Sequence, residues 1–463
     1  MDLGLKIALH SADERNDLHL SGGVGWRPQR HATCPQPLRG GKGSLAMHKF
    51  IARQPILDRS EKVYGYELNS RGGEDDLLPP LEGEAPAVRP ASGELPCEGF
   101  DEFLDQSLAF IKCPPAALLD GRAARLPKDR VVLEIPVGRA PDEGVVVACR
   151  HLKAAGFTLA LDNYQGGGDD PLAEMANLIK MDVSASADRV QWLLIRKLRA
   201  QGVAFVAQNL QKHAQFQNAL QQGYNYFQGP FYCRPQPYSP SDVTPTKLVY
   251  LLVLRAVTRP EIDMQEVAEA IKHDLALSYK LLRFLNSARF AFHSRITSIR
   301  HALLMLGQNE IRKWIGLISL AALGEGGPPI LVKMALVRAA FCEFLAPLVG
   351  ASKRESDYFF LGLLSCIDVL LRRPMRVVLA ELPMLPDVAA ALVGEQNPLR
   401  EVLHTVVSYE QGDWDECCKQ AKKLALKEEA LAGLHLRSLR WSRELNPDEK
   451  GQPADSPPAP ALR

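Results

Sequence analysis

The sequence predicts an α/β chain, a (β/α) barrel of the TIM-like kind followed by an all-helical domain, and three observations carry that prediction. Short apolar runs alternate with amphipathic stretches between residues 63 and 232, polar residues gather where those runs end, and beyond residue 247 the apolar spacing is helical throughout. The 463 residues are too many for one ordinary core and suit two or three domains.

Val63 to Leu68, Val131 to Ile135, Phe157 to Asp162, Leu178 to Val183, Val203 to Leu210 and Tyr226 to Tyr232 read as strands. From Val131 on, their starts lie 21 to 26 residues apart, the spacing of βα units that build a parallel sheet. Helical patterns at Asp142 to Ala155, Asp188 to Gln201 and Lys212 to Gln222 fill the gaps. Gly156, Gly202 and Gly223 follow them, where a left-handed residue stops a helix. Glu67, Glu134, Asp162 with Asn163, Lys180 with Asp182, Gln208 and Gln228 fall at strand ends, and the C-terminal rim is where such barrels place their chemistry.

Pro235, Pro237, Pro240 and Pro245 exclude regular helix around residues 236–246, which read as a linker between a barrel domain at 47–235 and a helical domain at 247–440. In the latter, Ser298 precedes the stripe Ile299, Ala302, Leu303 and Leu306, closed by Gly307, and Ile311, Trp314, Ile315 and Ile318 repeat it. Asp263 with Glu266 forms a capping-box-like start, and Asp413 is placed to cap a helix running to about Ala432. Residues 1–46 are polar and aperiodic and read as a disordered leader or as sequence ahead of a true start at Met47. The proline-rich 446–463 reads as a disordered tail.

A formal net charge of +1 gives no basic footprint for nucleic acid. The nine cysteines form no CxxC pair and no ligand-like spacing with histidine, which suits a reducing compartment. No apolar run approaches the roughly 20 residues of a membrane span, and no secretory signal is evident, so a cytoplasmic protein is expected.

The barrel motifs Tyr66-Glu67-Leu68-Asn69-Ser70-Arg71, Val132-Leu133-Glu134-Ile135, Leu161-Asp162-Asn163-Tyr164, Ile179-Lys180-Met181-Asp182 and Phe227-Gln228-Gly229-Pro230-Phe231 resemble the EAL family of cyclic di-GMP phosphodiesterases. The opening Ala52-Arg53-Gln54-Pro55-Ile56 looks like the shortened EAL subgroup that precedes HDOD domains, with barrel elements near residues 72–99 expected to be trimmed. The resemblance implies two divalent cations on rim carboxylates and an asparagine, a water they activate, and an assisting lysine. Glu67, Glu134 and Asp162 match metal ligands, Lys180 the lysine, and Gln228 a glutamine near the site.

Four positions depart from that pattern: Lys112 falls on the asparagine, Asn163 on a second aspartate, and Gln208 and Gln211 on two glutamates. The mouth is thereby four charges more positive than the pattern. Each unit charge a few ångströms from an ion is worth on the order of 4 kcal/mol per unit of ion charge at an effective dielectric near 20. The sequence expectation is therefore no metal, no cofactor and no catalysis. Glu67, Glu134, Asp162 and Lys180 would form a salt-bridged plug with Lys112 as a further counter-charge. A competing reading keeps cyclic di-GMP as a bound ligand through Arg71, which matches the family's phosphate-contacting arginine.

Ile271-Lys272-His273-Asp274, Leu281-Leu282, Asn286-Ser287-Ala288 and Ala302-Leu303-Leu304-Met305-Leu306-Gly307 resemble the HDOD family, relatives of HD phosphohydrolases that have lost their metal ligands. His273-Asp274 reads literally as an HD pair, but no histidine lies between Lys247 and Lys272 to supply the first ligand. His301 reads as a boundary residue, and Cys417-Cys418 as a bland pair on a polar helix. The resulting expectation is a regulatory protein that docks other signalling proteins, with a homo-oligomer left open. An active phosphodiesterase and an HD-type phosphohydrolase are the rival readings.

Overall fold

The computed structural model describes residues 50–79, 103–137, 142–164, 170–183, 195–234, 245–259, 261, 263–272 and 307–445. Within them, β1 (Ile51–Leu57), β2 (Val63–Ser70), β3 (Leu108–Lys112), β4 (Val131–Pro136), β5 (Thr158–Asp162), β6 (Leu178–Asp182), β7 (Ala204–Gln208) and β8 (Tyr226–Gln228) close a barrel in sequence order. β1 runs antiparallel to both β2 and β8, and every other pairing is parallel. Sequence reasoning found six of these strands. It missed β1, where Arg53, Gln54 and Pro55 interrupt the apolar run, and β3, whose apolar run is only Leu108 to Ile111. The trimming expected near 72–99 costs the barrel no strand, and residues 80–102 lie outside the described part.

Period-2 alternation sets what the barrel interior holds. Ile56, Phe110, Val132, Ala160, Leu178 and Val206 form a buried apolar layer. Two residues further along five of those strands come Lys112, Glu134, Asp162, Lys180 and Gln208, so the layer above the apolar plug is polar and sits at the C-terminal mouth. Gly65 makes room for the plug, because a Cβ there would stand 2.7 Å from the Phe110 ring.

The flanking helices form where capping chemistry starts and stops them. The Asp142 carboxylate accepts from the Gly144 N–H to open α1 (Glu143–Ala154), and α2 (His213–Gln222) ends on Gly223 at φ 95°. Gly156 and Gly202 also hold positive φ, as their positions predict, while residues 188–194 of the intervening helical pattern lie outside the described residues.

The helical domain contains α3 (Pro245–Thr258), α4 (Met264–Lys272), α5 (Gln308–Leu323), α6 (Pro329–Leu345), α7 (Glu355–Leu363), α8 (Pro398–Gln411), α9 (Trp414–Lys423) and α10 (Glu428–Leu445), with shorter helices between them. Pro245, read as a linker residue, instead occupies the first position of α3, where its missing N–H costs nothing. Asp263 accepts from Gln265 and Glu266 at the start of α4, and Asp413 accepts from Glu416 at the start of α9. The single helix expected from Asp413 to Ala432 is two. Ala425 turns left-handed at φ 51°, Leu426 donates back to the Ala421 carbonyl, and the buried Leu426 side chain anchors the break. Ile311, Trp314 and Ile315 bury on α5 as predicted, whereas His273, Asp274, Asn286, Ser298 and His301 lie outside the described residues. Among the described residues, no helix is long and apolar enough to cross a membrane.

The helical domain packs on the barrel beside its mouth. Phe50 packs against Tyr409 and Trp414 with ring centroids 5.8 and 6.1 Å apart, and Gln54 donates to the Gln411 carbonyl at 3.2 Å. Asp105, half-buried just before β3, takes Arg53 at 2.8 Å, Lys333 of α6 at 2.5 Å and Arg443 of α10 at 3.5 Å.

Candidate functional site

Strand register brings the polar layer together. Lys112 stands opposite Glu134, Asp182 opposite Gln208, and Gln54 opposite Glu67, so residues scattered over more than 150 positions share one rim. The Lys180 ammonium, fully buried, donates to Glu134 and to Glu67 Oε2 at 2.5 Å, and lies 3.8 Å from Asp162 Oδ1. Gln228 Nε2 donates to Glu67 Oε2 at 2.7 Å, and Gln208 Nε2 to Asp162 Oδ1 at 3.0 Å. Lys112, with 38% of its side chain exposed, reaches in from the other side to 3.3 Å from Glu67 Oε1 and 3.9 Å from Asp162 Oδ2.

Charge and burial act against each other here. Burial pushes Glu134 upward, reinforced by the neighbouring Glu67 carboxylate, opposed by the Lys180 ammonium and its hydrogen bond, and raised further by Asp162. Burial would raise Glu67 as well, but Lys180, then Lys112, then hydrogen bonds from Lys180 and Gln228 hold its carboxyl well below the usual range. Burial would lower Lys180, yet Glu134 and Glu67 outweigh it and keep the ammonium charged. The same balance of burial against Glu67 and Asp162 raises Lys112.

Above the rim lies a cavity of about 670 Å³. Its barrel side carries Glu67, Lys112, Asp162, Asn163, Gln208 and Gln211, and its other side belongs to α6, α8 and α10 through Lys333, Met334, Glu410 and His435. The structure thus brings the sequence-predicted rim residues together. Asn163 takes a left-handed φ of 54°, and Gln211 donates its N–H to Gln215.

A competing sequence reading assigns Arg71 to a bound dinucleotide. Its guanidinium donates to Glu428 of α10 at 2.8 Å and covers the Phe50 ring, and it is not among the residues lining the cavity. The cause is β2 alternation together with the docking of α10, which draws the side chain to the domain contact. Sequence reasoning missed Arg53, Lys333, Arg338 and Glu410 at the cavity, because three of them lie in a helical domain with no visible tie to the rim. Cys417 is buried with its thiol pushed up to about 12, and Cys418 donates to Glu428, so neither is poised as a thiolate.

A pair of divalent cations does not fit the rim as it is folded. Glu67, Glu134 and Asp162 turn five carboxylate oxygens toward two ammonium groups within 4 Å, and the two lysines already neutralise most of that charge. Among the described residues, no group of three His, Cys, Asp or Glu side chains is arranged to hold a metal ion.

Residues 244–376 match the HDOD domain family. The chain is 29% identical over 408 residues to YuxH, an uncharacterized protein of Bacillus subtilis, covering 86% of this chain and 99% of that one. It is 28% identical over 401 residues to the cyclic di-GMP phosphodiesterase CdgJ of Vibrio cholerae, covering 86% of this chain and 93% of that one. Among solved structures, an EAL domain protein from Listeria monocytogenes matches 40% of this chain and 88% of its own, at 16% identity and a TM-score of 0.29. The architecture read from the sequence stands, a closed barrel followed by a helical domain that matches the HDOD family over residues 244–376. The expectation that the chain is no enzyme is overturned, because a relative aligned over nearly its whole length is a phosphodiesterase. The charge count assumed that catalysis at this rim needs the full family charge pattern.

Proposed function

We propose that this chain, an EAL-type barrel joined to an HDOD domain, is a cyclic di-GMP signalling protein that hydrolyses the dinucleotide at the barrel mouth. The observation that carries the reading is the rim itself: Lys112 and Asp162 meet, partly exposed, at the floor of a cavity of about 670 Å³, a volume within the usual range for ligand pockets. The relative named as a cyclic di-GMP phosphodiesterase aligns across both domains and supports the substrate.

The residues divide the work by exposure. Lys112 presents an ammonium to the cavity and neutralises a phosphodiester there. Asp162, oriented by the Gln208 amide, is the general base that takes a proton from an attacking water. The water oxygen bonds to phosphorus, the ester P–O bond breaks, and the ribose oxygen leaves with the proton that Asp162 took from the water, giving the linear dinucleotide. Lys180 and Glu134, sealed beneath the rim, hold the strand ends in register, while Glu67 and Gln228 border the cavity and tie that buried pair to it.

The test is incubation of labelled cyclic di-GMP with the purified chain in Mg²⁺, in Mn²⁺ and in chelator, resolving the linear product. Product that disappears in Asp162→Asn supports the reading. Binding heat without product would remove the hydrolysis, and the absence of both would remove the dinucleotide.

A further inference from the structure

We infer that the helical domain completes the dinucleotide site, with α6 as its roof and the Arg53–Lys333 pair as the seat of the second phosphodiester. This rests on the cyclic di-GMP reading above and extends it from the barrel to both domains.

Lys333, Met334, Val337 and Arg338 all line the cavity at the mouth. They fall at positions i, i+1, i+4 and i+5 of α6, which places one continuous stripe of that helix over the rim. The stripe is mixed in character. Met334 and Val337 form an apolar middle, and a cation stands at either end. A cyclic dinucleotide has matching chemistry: two purine faces that seek apolar cover and two phosphodiesters on opposite sides of one ring. The rim has an open ammonium for one phosphodiester, Lys112; Lys180 is sealed beneath Glu67 and Glu134, which leaves Arg53 and Arg234 as the other barrel cations bordering the cavity.

Charge bookkeeping places the second one. Arg53, Lys333 and Arg443 converge on the single carboxylate of Asp105, while Arg338 is matched by Glu410 at 2.7 Å. Arg53 from the barrel and Lys333 from α6 thus share one carboxylate, with one positive charge in excess between them, and both border the cavity. An ammonium has three donors, and the bond to Asp105 uses one of them. A phosphodiester seated there bridges the domains, so occupancy of the barrel mouth is transmitted to the helical domain by direct contact.

Calorimetric titration of cyclic di-GMP into the full chain, its Lys333→Met variant and its Lys333→Arg variant tests this. Asp105 keeps Arg53 and Arg443 in Lys333→Met, so the fold is retained, and a matching melting curve verifies it. The expected result is affinity at least tenfold weaker in Lys333→Met and within threefold of the parent in Lys333→Arg. Hydrogen exchange on the parent chain supplies a measurement that needs no variant, with ligand-induced protection expected along the α6 amides. Parent binding that is unchanged within twofold in Lys333→Met, or that leaves α6 unprotected, overturns the roof while leaving the barrel site standing. A parent that does not bind overturns the function reading, and the roof falls with it.

Discussion

Lys180 and Glu134 form an ion pair from which water is wholly excluded, with no exposed surface on either side chain. Removing one member of such a pair leaves the other charge stranded, which costs about 3–5 kcal/mol, whereas removing both is often close to neutral. Lys180→Met is therefore expected to lose about that much stability in chemical denaturation, and Lys180→Met combined with Glu134→Gln to recover part of it. A single variant as stable as the parent would show that the pair does not organise the mouth.

Lys112 occupies the position between Glu67 and Asp162 where a cation is otherwise called for. Lys112→Asn makes the mouth one charge more negative while retaining a polar side chain. Mn²⁺ affinity measured by calorimetry or paramagnetic resonance should rise at least tenfold, because a unit charge at this range is worth on the order of 4 kcal/mol per ion charge before solvation offsets it. Unchanged Mn²⁺ binding would show that the lysine does not hold a cation's place.

Arg71 serves the domain contact through Glu428 and Phe50. Its pair is largely exposed, so Arg71→Ala should cost within about 1 kcal/mol and leave cyclic di-GMP affinity within twofold of the parent. A tenfold loss of affinity in the titration would return Arg71 to the ligand.

His435 packs between Phe341 and Tyr409 at 5.7 and 4.7 Å, and burial, with Arg53 adding to it, presses its ring down to about 3. The unfolded chain protonates this ring near 6.5 and the folded chain does not, so the unfolded state holds more protons between those values. Stability therefore falls as pH drops from about 6.5 towards 3, by up to about 1.4 kcal/mol per pH unit. His435→Phe should flatten that part of the profile relative to the parent in parallel melts from pH 7 to pH 4.5, and two superimposable slopes would contradict it.

The rim was legible because strand alternation turns sequence spacing into geometry. Val132 and Glu134, Ala160 and Asp162, and Leu178 and Lys180 each differ by two positions, and each pair puts one residue in the plug and one in the mouth. The Arg71 contact was not legible, because the same motif that aligns Glu67 says nothing about Glu428, 357 residues away. The roof was illegible for a related reason: Lys333 and Arg338 look like isolated charges in a mostly apolar helix, and only tertiary docking turns them toward Asp105 and Glu410. Two strands escaped because β1 and β3 are too short or too polar to show a pattern, although closure of the barrel depends on both.

Asp105 ties residue 53 to residues 333 and 443, and this has consequences during synthesis. Every strand of the barrel has left the ribosome once residue 228 has emerged, yet the flank bearing Phe50 and Asp105 stays uncovered until the last helix is made. For about 200 further residues, roughly 10–40 s at ordinary elongation rates, the nascent barrel carries an Arg53–Asp105 pair without its helical cover and a bare aromatic edge. A ribosome-bound chain arrested near residue 240 should therefore be cut by protease within the barrel. One arrested well past residue 445 should resist, because the second half of the gene finishes the first half of the fold.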